Sequence, residues 1–144
     1  MELKLSHSFL EVDDQDKALA FYRDVLGLEV RNDVTFEGMR WLTVGPKSQP
    51  DVEIVLGEVG MGRPPGDVDT LRSLLAKGSL NGVIFVTDDL DDTFERVSGA
   101  GAEVLQEPID QAYGVRDCAF RDPSGNHIRF SQPIKGWTPP WESS

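Results

Sequence analysis

Two residues that could do chemistry, His127 and Arg129, are separated by one position in a predicted strand. Side chains alternate along a strand, so both should lie on the same face of the sheet. A guanidinium on an interior face needs a partner, and its planar fork suits a carboxylate, a phosphate or another anion. Arg129 is therefore a candidate ligand-binding residue with His127 beside it. The alternative is an arginine that points to solvent.

Two further features carry reactive side chains but are better explained by structure. The single cysteine, Cys118, lies in a predicted buried strand, with no helix N-terminus predicted beside it to lower its pKa. We interpret it as a packing residue, and one cysteine excludes an intrachain disulfide. The acidic run at residues 88–92 lacks the spaced ligands of an EF-hand loop, so it is interpreted as the start of a helix.

The charge balance restricts the partners of the chain. The 144 residues include 14 Lys and Arg against 25 Asp and Glu, which gives a net charge of -11. This balance argues against nucleic acid and against an anionic membrane surface, because both bind clustered basic residues. The longest uninterrupted aliphatic or aromatic run, residues 83–86, is too short to span a bilayer. With no signal peptide evident and one cysteine, we expect a cytoplasmic protein.

The hydrophobic pattern predicts one β-α-β-β-β unit followed by a second unit with the same order of elements. Residues 3–57 contain period-two strands around one helix. Apolar residues of that helix recur at helical spacing, at Ala18, Phe21, Tyr22, Val25 and Leu26. Residues 58–79 predict a connection with a short amphipathic helix, and residues 80–132 repeat the first unit. The fold class is therefore α+β, one domain of two tandem modules with a C-terminal arm over residues 133–144.

The two units align through the residues that begin their helices. Asp14 precedes the first predicted helix as Asp89 precedes the second, and acidic residues are favourable there. Seven positions before these residues lie His7 and Gly82. One unit leaves a face of its sheet uncovered, so two units can bury those faces or enclose a cavity.

Several aromatic residues are candidates for contacts with a planar ligand. Trp41, Phe36, Tyr113 and Phe120 could line a cavity, and are as readily explained as core or dimer-interface residues. The C-terminal arm carries two further tryptophans, Trp137 and Trp141, on either side of Pro139 and Pro140. We favour an arm packed across the body or a neighbouring subunit over a lid that closes a pocket.

Two sequence phrases together resemble the vicinal oxygen chelate superfamily. These are residues 18–28, ALAFYRDVLGL, and residues 120–128, FRDPSGNHI. The superfamily includes the glyoxalase I, bleomycin-resistance and extradiol-dioxygenase families, and the likeness extends over residues 3–132. The resemblance implies two paired βαβββ modules that form a curved mixed sheet around a cavity, and it implies a homodimer, since many members pair in this way.

The resemblance also implies where metal ligands would lie. Glyoxalase-like members hold one divalent ion with a His or Gln early in each module and a Glu in the last strand of each. The matching positions here are His7 and Glu53 in the first module, and Gly82 (or Asn81) and Arg129 in the second. Glycine and a guanidinium have no lone pair to donate. Arg129 could instead form an ion pair with Glu53 in place of the metal.

Three functions remain open from the sequence. We favour a metal-free binding protein of the glyoxalase and bleomycin-resistance type, with an aromatic, anionic or antibiotic ligand bound by Arg129, His127, Trp41, Tyr113 and Phe120. The alternative is a superfamily enzyme that binds Mn, Fe, Ni or Zn. Its ligands would be His7 and Glu53, with a third from His127 or from the partner subunit. Its reaction would be that of a lactoylglutathione lyase-like isomerase or an extradiol dioxygenase. The third option is a module that serves mainly in assembly.

Overall fold

The structure is a computed structural model that describes residues 1–137 of the chain. The elements of the first module are β1 (His7–Val12), α1 (Gln15–Leu19), a π-helical segment (Ala20–Val25), β2 (Glu29–Phe36), β3 (Met39–Gly45) and β4 (Glu53–Glu58). After the connecting helix α2 (Pro65–Ala76), the second module consists of β5 (Val83–Val86), α3 (Leu90–Gly99), β6 (Glu103–Asp110), β7 (Val115–Arg121) and β8 (His127–Pro133). This order confirms the predicted α+β fold with two βαβββ modules.

The chain forms two compact units, each built on one four-stranded mixed sheet. The first unit comprises residues 1–80 and 123–126, and the second unit comprises residues 81–122 and the described residues from 127 onward. The strand orders are β1-β4-β3-β2 in the first sheet and β5-β8-β7-β6 in the second. In each sheet the first and last strands of the module pair in parallel, and the other pairs are antiparallel. The internal repeat predicted from the sequence is therefore a repeat of topology.

The first module buries one face of its sheet beneath a helix. Asp14 begins α1 as its N-cap, and its side chain accepts a hydrogen bond from the backbone N–H of Lys17 at 2.9 Å. The helix then widens into the π-helical segment, and the two together bury Ala18, Leu19, Phe21 and Tyr22. On the sheet, the residues that alternate toward this core include Leu10, Val12, Leu42 and Leu56.

The second module has the same construction. The side chain of Asp89 caps α3 by accepting from the backbone N–H of Asp92 at 3.1 Å, which accounts for the acidic run as a helix start. Beneath α3, the ring of Phe120 lies 5.4 Å from that of Phe94 and 6.0 Å from that of Phe130. Phe120 is fully buried in this aromatic core. It therefore contributes to the core of the module, on the face of β7 opposite to its neighbours 119 and 121.

The turn between β7 and β8 belongs to the first unit by its contacts. Asn126 donates to the backbone carbonyl of Glu11 at 2.7 Å, and Ser124 accepts from the backbone N–H of Asp13 at 2.9 Å. Gly125 has a φ of +118°, and a Cβ built on it would lie 2.0 Å from the carbonyl oxygen of Leu75. The phrase Asp-Pro-Ser-Gly-Asn thus has a packing role in addition to its turn geometry.

Some boundaries differ from the sequence prediction. The pattern of alternating residues predicts only a short strand from residue 103, whereas β6 extends to Asp110. Two irregularities in its pairing with β7 interrupt the alternation. The first strand begins at His7, four residues later than predicted. Of the predicted C-terminal arm, Trp137 contacts Gly114, whereas Pro139, Pro140 and Trp141 lie outside the described residues. No helix among residues 1–137 is long and apolar enough to cross a membrane.

The core position of Phe120 leads to a stability prediction. Phe120→Ala should lower the free energy of unfolding by about 3 to 5 kcal/mol, because it leaves a cavity between Phe94 and Phe130. Phe120→Leu keeps most of the volume and should lose less than half as much. Urea denaturation followed by circular dichroism measures both. A Phe120→Ala variant as stable as the wild type would contradict this placement.

Candidate functional site

The first sheet brings His7 and Glu53 together on the face opposite to α1. The two residues are partners in the parallel register of β1 and β4, and Nε2 of His7 lies 3.5 Å from Oε2 of Glu53. The other carboxylate oxygen, Oε1, accepts from the hydroxyl of Thr43 at 2.6 Å and from the amide of Asn32 at 3.0 Å. The hydrogen bond from Thr43 makes the largest contribution to lowering the pKa of Glu53 below its usual value. Glu53 is thus an ionised acceptor beside His7.

Aromatic rings extend this face of the first sheet. The ring centroid of Trp41 lies 6.1 Å from that of His7 and 6.0 Å from that of Phe9. Phe36 lies across the β2–β3 pair on the same side, and it is exposed with Phe9 and Trp41. We call Phe9, Phe36 and Trp41 the aromatic face. Exposed rings beside a polar pair suit contact with a planar molecule or with another protein surface.

The second sheet carries a buried carboxylate that the sequence analysis did not single out. The Asp117 side chain is 1% exposed. Its Oδ1 accepts from the amides of Gln106 and Gln111 at 2.8 and 2.9 Å. Its Oδ2 accepts from the Tyr113 hydroxyl at 3.3 Å and lies 3.0 Å from Nη1 of Arg129. Burial alone would raise the pKa of Asp117, but these hydrogen bonds and the charge of Arg129 outweigh it and lower the pKa.

Arg129 is held between three neighbours within this sheet. Its Nη1 also donates to Oε1 of Gln106 at 3.0 Å, and its Nη2 lies 3.2 Å from Nε2 of His127. Burial lowers the pKa of His127, and the charges of Arg129 and Arg121 lower it further. His127 is therefore neutral near pH 7 and accepts the hydrogen bond at Nε2. The carboxylate partner of Arg129 is Asp117, where the sequence had suggested Glu53.

The candidate residues of the second module thus divide into two groups. Arg129, His127 and Tyr113 belong to one cluster organised by Asp117. Phe120 and Cys118 lie on the opposite face of β7, in the core beneath α3. Burial raises the pKa of Cys118 to about 11, which keeps the thiol protonated and agrees with a packing role.

The strand register revises the match between the two modules. His7 is paired with Glu53, and Gly82, its counterpart seven residues before the second N-cap, is opposite His127. Glu53 therefore corresponds to His127, and the counterpart of Arg129 is Val55. The match drawn from the sequence, which set Glu53 against Arg129, is shifted by two residues. If position 129 marks a ligand position, its counterpart in the first module is a buried valine.

The donor set does not fit a divalent metal centre. Among residues 1–137, no group of three or more His, Cys, Asp and Glu side chains is placed to hold an ion. A Cβ built on Gly82 would lie 1.9 Å from the backbone carbonyl oxygen of His127, so this backbone accommodates no side chain there. Nε2 of His127 accepts from the cationic Arg129, which would repel a metal ion. His7 and Glu53 remain as two donors, fewer than catalytic centres usually have.

Comparisons with known proteins agree with the topology. The family model for the Glyoxalase/Bleomycin resistance protein/Dioxygenase superfamily matches residues 4–130. A lactoylglutathione lyase of Neisseria meningitidis serogroup A is 30% identical and covers 93% of this chain and 94% of its own.

Two solved structures are similar over nearly the whole chain. UcmS2 superposes with a TM-score of 0.85 and is 42% identical, covering 91% of this chain and 98% of its own. TnmS3, described as an antibiotic binding protein from Streptomyces sp. CB03234, has a TM-score of 0.72 and 32% identity, covering 92% of this chain and 97% of its own. Both proteins therefore resemble this chain in sequence as well as in fold.

The backbone of His127 lies so close to Gly82 that a side chain at position 82 should destabilise the fold. Gly82→Ala should lower the free energy of unfolding by about 2 kcal/mol or more, because its methyl group meets the backbone of β8. Gly99→Ala is the matched control, since nothing lies within 4 Å of a Cβ at that helical position. It should be neutral or stabilising by up to about 1 kcal/mol. Equal stability of the two variants would show that position 82 accepts a side chain.

Proposed function

The chain belongs to the Glyoxalase/Bleomycin resistance protein/Dioxygenase superfamily, and on this premise we propose that it binds a small organic molecule without a divalent-metal centre. The observation that supports the proposal is the cluster around Arg129. At the position where the resemblance implies a metal-binding Glu, this chain has a guanidinium fixed by Asp117 and Gln106. A fixed donor group of this kind binds an acceptor on an organic ligand directly, without an intervening ion.

The ligand we propose is an aromatic compound of the antibiotic class. TnmS3, whose description names antibiotic binding, is 32% identical over nearly the whole chain. Each unit has one exposed ring beside its polar cluster: Trp41 near His7 in the first, and Tyr113 bonded to Asp117 in the second. An exposed ring of this kind suits stacking on a planar molecule. Binding alone removes free antibiotic from solution, so sequestration in the cytoplasm is the biological role we propose. No catalytic step is needed for it.

A homodimer is part of the proposal. Large apolar side chains on the uncovered sheet faces are exposed in the single chain, among them Phe9, Phe36, Ile84 and Val86. Extended apolar patches on a single chain are typical of protein interaction sites. A second copy of the chain would cover part of these faces, as the resemblance implies. The assembly role stands as the alternative if no small molecule binds.

The metal-dependent enzyme is the second candidate, and one observation favours it. His7 and Glu53 lie within 3.5 Å on an accessible face, and the lactoylglutathione lyase relative is 30% identical. This reaction would need further donors that positions 55, 82 and 129 do not supply. We therefore expect no formation of lactoylglutathione from methylglyoxal and glutathione, with or without added Ni²⁺ or Zn²⁺. Metal-dependent turnover would favour the enzyme.

A binding screen tests the proposed function. Aromatic antibiotics and aromatic acids and ketones are screened by thermal shift, and the dissociation constants of hits are measured by calorimetry. Arg129→Ala should weaken a hit at least about tenfold, because it removes a charge-assisted donor worth about 1.5 to 3 kcal/mol.

Arg116→Ala is the matched control for this screen. Arg116 lies on β7, the strand next to that of Arg129, and its ion pairs with Asp91 and Asp110 have no part in the Arg129 cluster. Its variant should bind as the wild type does. The absence of any hit would contradict the proposal and favour the assembly role. A hit that loses equal affinity in both variants would contradict the role of Arg129.

A further inference from the structure

We propose that Asp117 is a positioning and specificity-determining residue, which fixes Arg129 and cancels its charge so that the cluster prefers an uncharged hydrogen-bond acceptor over an anion. The inference rests on the proposed function and narrows the ligand class within it. Its starting point is a carboxylate that is 1% exposed and makes its ion pair with Arg129 at 3.0 Å. That carboxylate has almost no contact with solvent, so its charge acts mainly on its immediate neighbours.

The charges around Arg129 add up to zero. Asp117 balances Arg129 directly, and His127 accepts from Arg129 at Nε2, so that this ring nitrogen carries no proton. The next cation along β7, Arg121, is paired with Glu103 at 2.6 Å. The chain as a whole carries a net charge of -11. An anion approaching this cluster therefore meets a compensated guanidinium in a negative overall field, which gives it little electrostatic gain.

The hydrogen bonds leave Arg129 with donors to offer. Nη1 donates to Gln106 and makes the ion pair with Asp117 at 3.0 Å, and one hydrogen on Nη2 is directed to His127. Within residues 1–137, the Nε–H and the second Nη2 hydrogen have no acceptor, and the side chain is 24% exposed. A guanidinium offers five N–H donors in a fixed plane. The Nε–H and the second Nη2 hydrogen can bind a carbonyl or hydroxyl oxygen. Such an oxygen is uncharged, so it needs no positive charge beyond the one that Asp117 already balances.

The hydrogen bonds around Asp117 hold the Arg129 guanidinium in one orientation. Gln106 bridges the pair, since its amide nitrogen donates to Asp117 and its oxygen accepts from Arg129. Gln111 and Tyr113, from the turn between β6 and β7, complete the set of donors to the carboxylate. Rotation of the guanidinium would break hydrogen bonds that are shielded from water, which is costly. Asp117 therefore acts on a ligand through Arg129, without touching it.

Two probes with one ring system test the charge preference. The uncharged probe is 2-acetonaphthone and the anionic probe is 2-naphthoate, and both are titrated by NMR into the full-length chain. We expect the wild type to bind the ketone at least about fivefold more tightly. Asp117→Asn is nearly isosteric and leaves Arg129 uncompensated, so the preference should move toward naphthoate by at least about tenfold. Asp117→Glu retains the charge and should keep the preference for the ketone.

A second readout needs no ligand. Hindered rotation of the Arg129 guanidinium is followed by ¹⁵N NMR of its Nε and Nη resonances, with exposed Arg116 as the internal reference. Rotation should be slow in the wild type and in Asp117→Glu, and faster in Asp117→Asn. A structural role alone would change stability in all variants without changing the ratio of the two affinities.

The outcomes separate this inference from the proposed function. Equal or tighter binding of naphthoate by the wild type overturns the charge preference, even if Asp117→Asn fails to fold. An unchanged affinity ratio in a folded Asp117→Asn also overturns it. If some antibiotic or aromatic compound of the screen binds but neither probe does, the inference fails and the proposed function stands. If nothing binds, the proposed function fails with it, and the rotation measurement alone decides whether Asp117 positions Arg129.

Discussion

The buried ion pair of Asp117 and Arg129 is the interaction on which the polar cluster of the second module depends. A carboxylate removed from water is costly unless hydrogen bonds and an opposite charge replace its hydration, and four donor side chains do so here. The pair fixes a cation where the resemblance implies a metal-binding Glu. It also gives Tyr113 and Gln111, from the turn before β7, a common partner. One buried charge thus organises a turn and two strands.

The two modules use the same scaffold with different polar groups. In the first sheet, Asn32 and Thr43 are paired across β2 and β3 and both contact Glu53. Gln106 occupies the position in the second sheet that corresponds to Asn32. In the first module the amide of Asn32 and the hydroxyl of Thr43 donate to the Glu53 carboxylate, which lies beside His7. In the second, the amide bridges a carboxylate and a guanidinium. The repeated topology therefore carries two polar clusters that differ in their side chains.

Much of the fold follows from the sequence because its signals are local and occur twice. Asp14 and Asp89 cap the two helices as predicted, and the alternation of apolar residues gives the order of the strands. The site is harder to predict because strand registers are not local. A two-residue slip leaves every side chain on the same face, so alternation does not distinguish Val55 from Glu53 as the counterpart of Arg129. Asp117 was missed since its partner is brought close only by the pairing of β7 with β8.

In the proposed function, this scaffold binds organic ligands with a compensated guanidinium in place of a metal ion. The most direct measurement is the metal content of the chain purified without added metals or chelators, by inductively coupled plasma mass spectrometry. The account predicts far less than one Mn, Fe, Ni or Zn per chain, with no change in His7→Ala or Glu53→Ala. About one tightly held ion per chain, lost in both variants, would contradict it.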